Sequence, residues 1–143
     1  MAARIDRVFV DTSAWIAFLD AGDDAHKAVA AGFSGAVRRA RLLTTDYVIF
    51  ETLTYLNCSL KNHDLAVAFY ENCQDTVGLE IIPVPSEAAE AALAEFFFKF
   101  SDQAISVVDA VSFYIMKQLG LKYALAVGKH FIAAGFELVG RES

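Results

Sequence analysis

Residues 7–20 read RVFVDTSAWIAFLD. Val8, Phe9 and Val10 form a short apolar run of β-favouring residues that ends on a carboxylate, Asp11. Thr12 and Ser13 follow, and then Trp15, Ile16, Phe18 and Leu19 at helical spacing. This order predicts a buried strand that delivers Asp11 to the rim of a sheet, with Thr12 or Ser13 capping the next helix. In open α/β sheets that rim is where ligands bind.

Outward from this stretch, strand-like and helix-like segments alternate over short links. Asp23 or Asp24 is placed to cap a helix through 31–39, which Gly32 and Gly35 weaken. Leu42 and Leu43 form a second strand ending at Thr44 and Thr45, and helical spacing resumes from Asp46. Asp64 is placed to cap a helix over 65–75, and a third strand covers 79–82. Ser86 opens a further helix that runs to Phe97 or Lys99. After a polar connection, a helix over 107–119 closes at Gly120, a C-cap residue. Strands at 121–127 and 136–139 flank a short helix or turn at 128–134. The pattern predicts one domain over residues 1–143: an α/β fold, a three-layer α/β/α sandwich with a mostly parallel five-stranded sheet.

The composition agrees. Of 143 residues, 56% are hydrophobic, as a sheet covered on both faces requires. No apolar run approaches the roughly 20 residues that cross a bilayer. The start, MAARIDRV, lacks the apolar core of a signal peptide, so a cytoplasmic location is expected. Cys58 and Cys73 have no metal-type spacing and read as thiols on apolar helix faces. The formal net charge of −6 argues against sequence-independent binding along a nucleic-acid backbone, which depends on clustered cations. A small metal-filled site that touches nucleic acid stays open, because bound cations reverse the local sign.

Among the acids, three sit in apolar company: Asp11, Glu51 within IFETLTYL, and Asp109 within ISVVDAVSFYIM. A buried carboxylate is costly unless paired, hydrogen-bonded or metal-bound. Each also has a plain structural reading. Asp11 suits an N-cap, Glu51 the edge of an amphipathic helix, and Asp109 a cap or a partner for Lys117. If their segments start at one sheet rim, the three converge, and an oxygen-only set of that kind suits Mg²⁺ or Mn²⁺. His26, His63 and His130 lie in separate segments and read as solvated residues.

Together the acidic segments resemble the PIN domain, especially the VapC-like toxin endoribonucleases of toxin–antitoxin pairs. VFVDTSAWIAFLD, YVIFETLTYL and SDQAISVVDAVSFYIMKQLG match the family's first three acidic blocks, with Asp11, Glu51 and Asp109 at the acid positions. ALAVGKHFIAAGFE resembles the closing strand, short helix and final strand. The resemblance implies a metal-dependent ribonuclease in which Asp11, Glu51 and Asp109 hold Mg²⁺ or Mn²⁺ and RNA is hydrolysed to 5′-phosphate and 3′-hydroxyl ends. It implies supporting roles for Thr12, Ser13 and Asp102 around the metal ligands. One departure stands out: where the family has Thr-x-Asp after the fourth strand, this chain has Ala126, Val127 and Gly128, so a fourth acid is missing.

The resemblance further implies a homodimer and a cognate antitoxin protein. The RNA substrate is expected to meet Arg38, Arg39, Arg41, Lys117 or Lys129, provided that they share the acidic rim; Lys129 and His130, beside Gly128, read either as phosphate contacts or as solvated residues. Phe96, Phe97, Phe98 and Phe100 suit either a dimer surface or the core. The alternative reading is an inactive PIN fold kept as a protein- or RNA-binding module, motivated by Gly128.

Overall fold

A computed structural model describes residues 5–35 and 37–139. The ends of the 1–143 span and residue 36 lie outside the described residues. The elements follow in the order β1 (Arg7–Val10), α1 (Thr12–Leu19), α2 (His26–Ser34), β2 (Arg41–Thr45), α3 (Asp46–Thr54), α4 (His63–Asp75), β3 (Leu79–Ile82), α5 (Ser86–Ala92), α6 (Val107–Leu119), β4 (Tyr123–Leu125), α7 (His130–Ala133) and β5 (Glu137–Leu138). Wider π-type turns extend α3 over Tyr55–Ser59 and α5 over Leu93–Phe97.

The five strands form one sheet in the order β3-β2-β1-β4-β5, and every pairing is parallel. β1 is therefore central, which is why Val8, Phe9 and Val10 are all apolar and inaccessible to solvent. Phe9 is in register with Leu43 on one side and Ala124 on the other. The chain leaves β1 toward β2 and returns later to lay β4 on the opposite side. The carboxyl ends of β1 and β4 thus flank the crevice where the strand order reverses, the ligand position of open α/β sheets.

With this strand order, the right-handed crossover rule assigns α1 to α4 to one face of the sheet and α5 to α7 to the other. Two aromatic clusters match that division. Trp15 stacks on Phe33 at 5.6 Å and meets Phe69 edge-on at 5.5 Å. Phe113 meets Phe96 at 5.6 Å and Phe131 at 4.8 Å, and Phe131 reaches Phe9 of β1. Phe96 and Phe100 belong to this second cluster, and of the phenylalanines at 96–100 only Phe98 is well exposed. Core packing is thus the role of Phe96 and Phe100.

Several boundaries differ from the sequence expectation. Asp11 itself caps α1, ahead of Thr12 and Ser13, because its backbone is extended while its side chain accepts the Ser13 amide. Asn62 caps α4 in place of Asp64, and α5 begins after Pro85 with no side-chain cap. α2 ends at Gly35 rather than running on to Arg39. β4 is shorter than 121–127, and the chain beyond it passes a left-handed backbone position at Gly128, where φ is 92°. The helix over Val107–Leu119 and its left-handed cap at Gly120 (φ 67°) match the expectation.

Candidate active site

The site grows from β1. Asp11 is 5% exposed, and its amide continues the β1–β4 pairing by donating to the Leu125 carbonyl at 3.0 Å. Its Oδ2 accepts the Ser13 hydroxyl at 2.6 Å and the Ser13 amide at 3.1 Å. Its Oδ1 is buried and has no hydrogen-bond partner. Burial raises the carboxyl from 3.8 to about 6. The Ser13 bonds oppose the rise, and the charges of Asp109 and Glu51 add to it.

Glu51 lies in the second turn of α3, whose start is set by Thr45 accepting the Val48 amide at 3.1 Å. Partial burial raises its pKa, and the Asp109 charge pushes the same way. The Thr12 hydroxyl favours the ionised form of Glu51, although it makes no hydrogen bond of regular geometry.

Asp109 sits in the first turn of α6, in a reciprocal cap. Its amide donates to Ser106 Oγ at 3.0 Å, and its Oδ2 accepts the Ser106 amide at 3.0 Å. The same Oδ2 lies 3.4 Å from His130 Nδ1. Asp109 is therefore a cap residue that also faces the site, and Lys117 pairs with Glu95 instead.

Asp11, Ser13, Glu51, Tyr55, Asp109 and His130 line one cavity of about 400 Å³ at the β1–β4 rim. A larger hollow of about 510 Å³, between the extension of α3 and α4, is mostly apolar and contains none of the three acids. Within the acidic cavity the carboxylates sense one another without closing up. Among the described residues, no group of three His, Cys, Asp or Glu forms a ready-made metal cage. The donor chemistry nevertheless fits a hard divalent cation: three carboxylates, one of them buried with an unpartnered oxygen.

The expected supporting residues divide. Ser13 holds Asp11, Thr12 leans on Glu51, and Asp102 is exposed in the turn before α6, outside the cavity lining. Ser13 Oγ also accepts the Val127 amide at 2.9 Å, which ties the loop after β4 to the start of α1.

Most of the expected RNA contacts lie away from the acidic rim. Arg41 opens β2 and pairs in register with Arg7, at the edge of the sheet opposite Asp11, and Arg38 and Arg39 precede it. Arg41 lies 3.3 Å from Glu80. Lys117 is in the last turn of α6, whose first turn carries Asp109. Strand and helix polarity therefore remove these four from the acidic rim, and of the five only Lys129 remains beside it, next to His130.

Among the polar residues of the cavity lining, Tyr55 and Ser106 were not anticipated as parts of the site, and His130 was expected beside it only as a solvated residue or a phosphate contact. Tyr55 is one helical turn beyond Glu51, a spacing that already puts both on one face. His130 becomes a site residue only through the packing of α7 against α6. The Ser106-x-x-Asp109 spacing was a readable cap signal.

The match to a PIN domain model spans residues 8–137. The chain belongs to the PIN domain family. Over 129 residues it is 35% identical to the 23S rRNA-specific endonuclease VapC20 of Mycobacterium tuberculosis, covering 90% of this chain and 95% of that protein. The crystal structure of Mycobacterium tuberculosis VapC20, a sarcin-ricin loop cleaving toxin, superposes with a TM-score of 0.80 at 31% identity, over 90% of this PIN domain and 95% of that chain. FitAcB from Neisseria gonorrhoeae shares the fold with a TM-score of 0.65 at 16% identity, over 92% and 95% of the two chains. Among the described residues, no helix of this PIN domain is long and apolar enough to cross a membrane.

Proposed function

We propose that this PIN domain is a Mg²⁺- or Mn²⁺-dependent endoribonuclease that acts as the toxin of a toxin–antitoxin pair. The observation that carries the reading is the buried, unpartnered Asp11 Oδ1 in a cavity shared with Glu51 and Asp109. The similarity to VapC20 supports RNA as the substrate.

Asp11, Glu51 and Asp109 would hold the cation. Bound there, it would acidify water and offset charge on a phosphodiester. Ser13 fixes one Asp11 oxygen and leaves the other for the ligand role. Ser106 fixes the backbone and side chain of Asp109 together. Lys129, on the same rim, would meet RNA phosphate. A homodimer, an antitoxin partner and a cytoplasmic location complete the proposal.

A second reading, an inactive PIN fold that binds RNA or protein, is motivated by Gly128, which stands where the resemblance to the family implies a fourth acid. The test incubates the purified, partner-free protein with a ribosomal RNA fragment and Mg²⁺ or Mn²⁺. Cleavage that EDTA and Asp11→Asn both abolish is the expected result. Tight partner or RNA binding with no cleavage under any metal would favour the second reading.

A further inference from the structure

The loop after β4 brings no carboxylate to the site, but it does bring a nitrogen donor. His130 opens α7, lines the acidic cavity and stands with Nδ1 3.4 Å from Asp109 Oδ2. Two donors on one ion, each bonded at about 2.0–2.4 Å, sit roughly 3.0–3.5 Å apart. Asp109 Oδ2 is anchored by the Ser106 amide, and the loop leading to His130 is pinned where the Val127 amide meets Ser13. Asp11, 5% exposed, independently turns a buried Oδ1 with no hydrogen-bond partner to this cavity.

We propose that His130 supplies a fourth protein donor to the metal site, beside Asp11, Glu51 and Asp109, and thereby turns the site from Mg²⁺ toward Mn²⁺. The inference rests on the reading that Asp11, Glu51 and Asp109 hold a divalent cation. A neutral imidazole donor carries one negative charge fewer than an anionic oxygen. That weakens the pull on Mg²⁺, which favours carboxylate and water, more than on Mn²⁺, which also accepts imidazole and ranks ahead of Mg²⁺ in softness. The competing role is a counter-ion, in which a protonated His130 only neutralises Asp109. The two roles predict opposite effects of removing the ring: a lost donor weakens metal binding, whereas a lost counter-ion leaves it unchanged or tightens it.

The test is calorimetric titration of metal-stripped protein with Mn²⁺ and separately with Mg²⁺, on wild type, His130→Ala and His130→Asn. Thermal unfolding in EDTA checks that each variant is folded. The expected result is Mn²⁺ binding weakened roughly tenfold or more in both variants, with Mg²⁺ binding changed by less than about threefold. Unchanged or tighter Mn²⁺ binding in folded variants overturns the His130 assignment and leaves the three-acid reading standing. Equal weakening for both ions overturns the selectivity. Wild type that binds neither ion overturns the three-acid reading and, with it, this one.

Discussion

The Ser13 hydroxyl lies 2.6 Å from Asp11 Oδ2 and 2.9 Å from the Val127 amide, so one side chain ties the acid at the end of β1 to the loop after β4. It orients the carboxylate, favours its ionised form and closes the crevice between the two strands. Ser13→Ala removes all three effects. A hydrogen bond to a charged group contributes about 1.5–3 kcal/mol, so chemical denaturation at neutral pH should show a loss of about that size. Asp11 should also titrate higher, and Ser13→Thr should keep part of the stability. An unchanged midpoint for Ser13→Ala would show that the tie is not made in solution.

Asp11 costs the metal-free protein stability. Its folded pKa of about 6 exceeds the ordinary 3.8, so the folded state binds the proton more tightly than the unfolded state. Below about pH 3.8 both states are protonated and nothing is lost. Stability then falls as pH rises to about 6, and the full cost, about 3 kcal/mol at most, persists above. Asp11→Asn should therefore raise the thermal midpoint at pH 7.5, by an amount worth about 1–3 kcal/mol. The gain should vanish near pH 4. A destabilised Asp11→Asn at pH 7.5 would contradict this.

Gly128 has a backbone conformation of its own. Its φ of 92° is one that L side chains rarely adopt, while the space around a Cβ there is open. Restoring an acid by Gly128→Asp should cost about 1–3 kcal/mol of backbone strain, and Gly128→Ala about the same, because no clash is involved. Guanidinium unfolding of both variants checks this. If Asp were tolerated and Ala not, the loop would have a use for the carboxylate that the backbone does not reveal.

Cations divide by rim. The triple change of Arg38, Arg39 and Arg41 to Ala should leave RNA cleavage within about threefold. Lys129→Ala should raise KM and reduce the salt slope of binding by about one. Fluorescence titration of RNA against salt would show the reverse pattern if the far rim carried the substrate.

The elements that were legible in the sequence are those whose signals are local. The run Val8, Phe9, Val10 marked the central strand because a strand buried on both faces has no room for a polar residue. The span of α6 was legible because Ser106 and Gly120 bracket it. Caps slipped where neighbouring residues compete: at Asp11, Thr12 and Ser13 all three side chains suit the role, and the backbone angle decides. The three acids were legible as misfits in apolar company. The place of Arg38, Arg39 and Arg41 depends on strand polarity, and that of His130 on α7 folding back over α6, neither of which a local pattern carries.

The central claim is that Asp11, Glu51 and Asp109 act together on RNA through one divalent cation. Single-turnover cleavage of a ribosomal RNA fragment in Mn²⁺ by wild type, Asp11→Asn, Glu51→Gln and Asp109→Asn tests it most directly. The account predicts a wild-type rate that EDTA abolishes and a fall of about 100-fold or more in each variant. A variant that keeps the wild-type rate, or cleavage that survives EDTA, would contradict it.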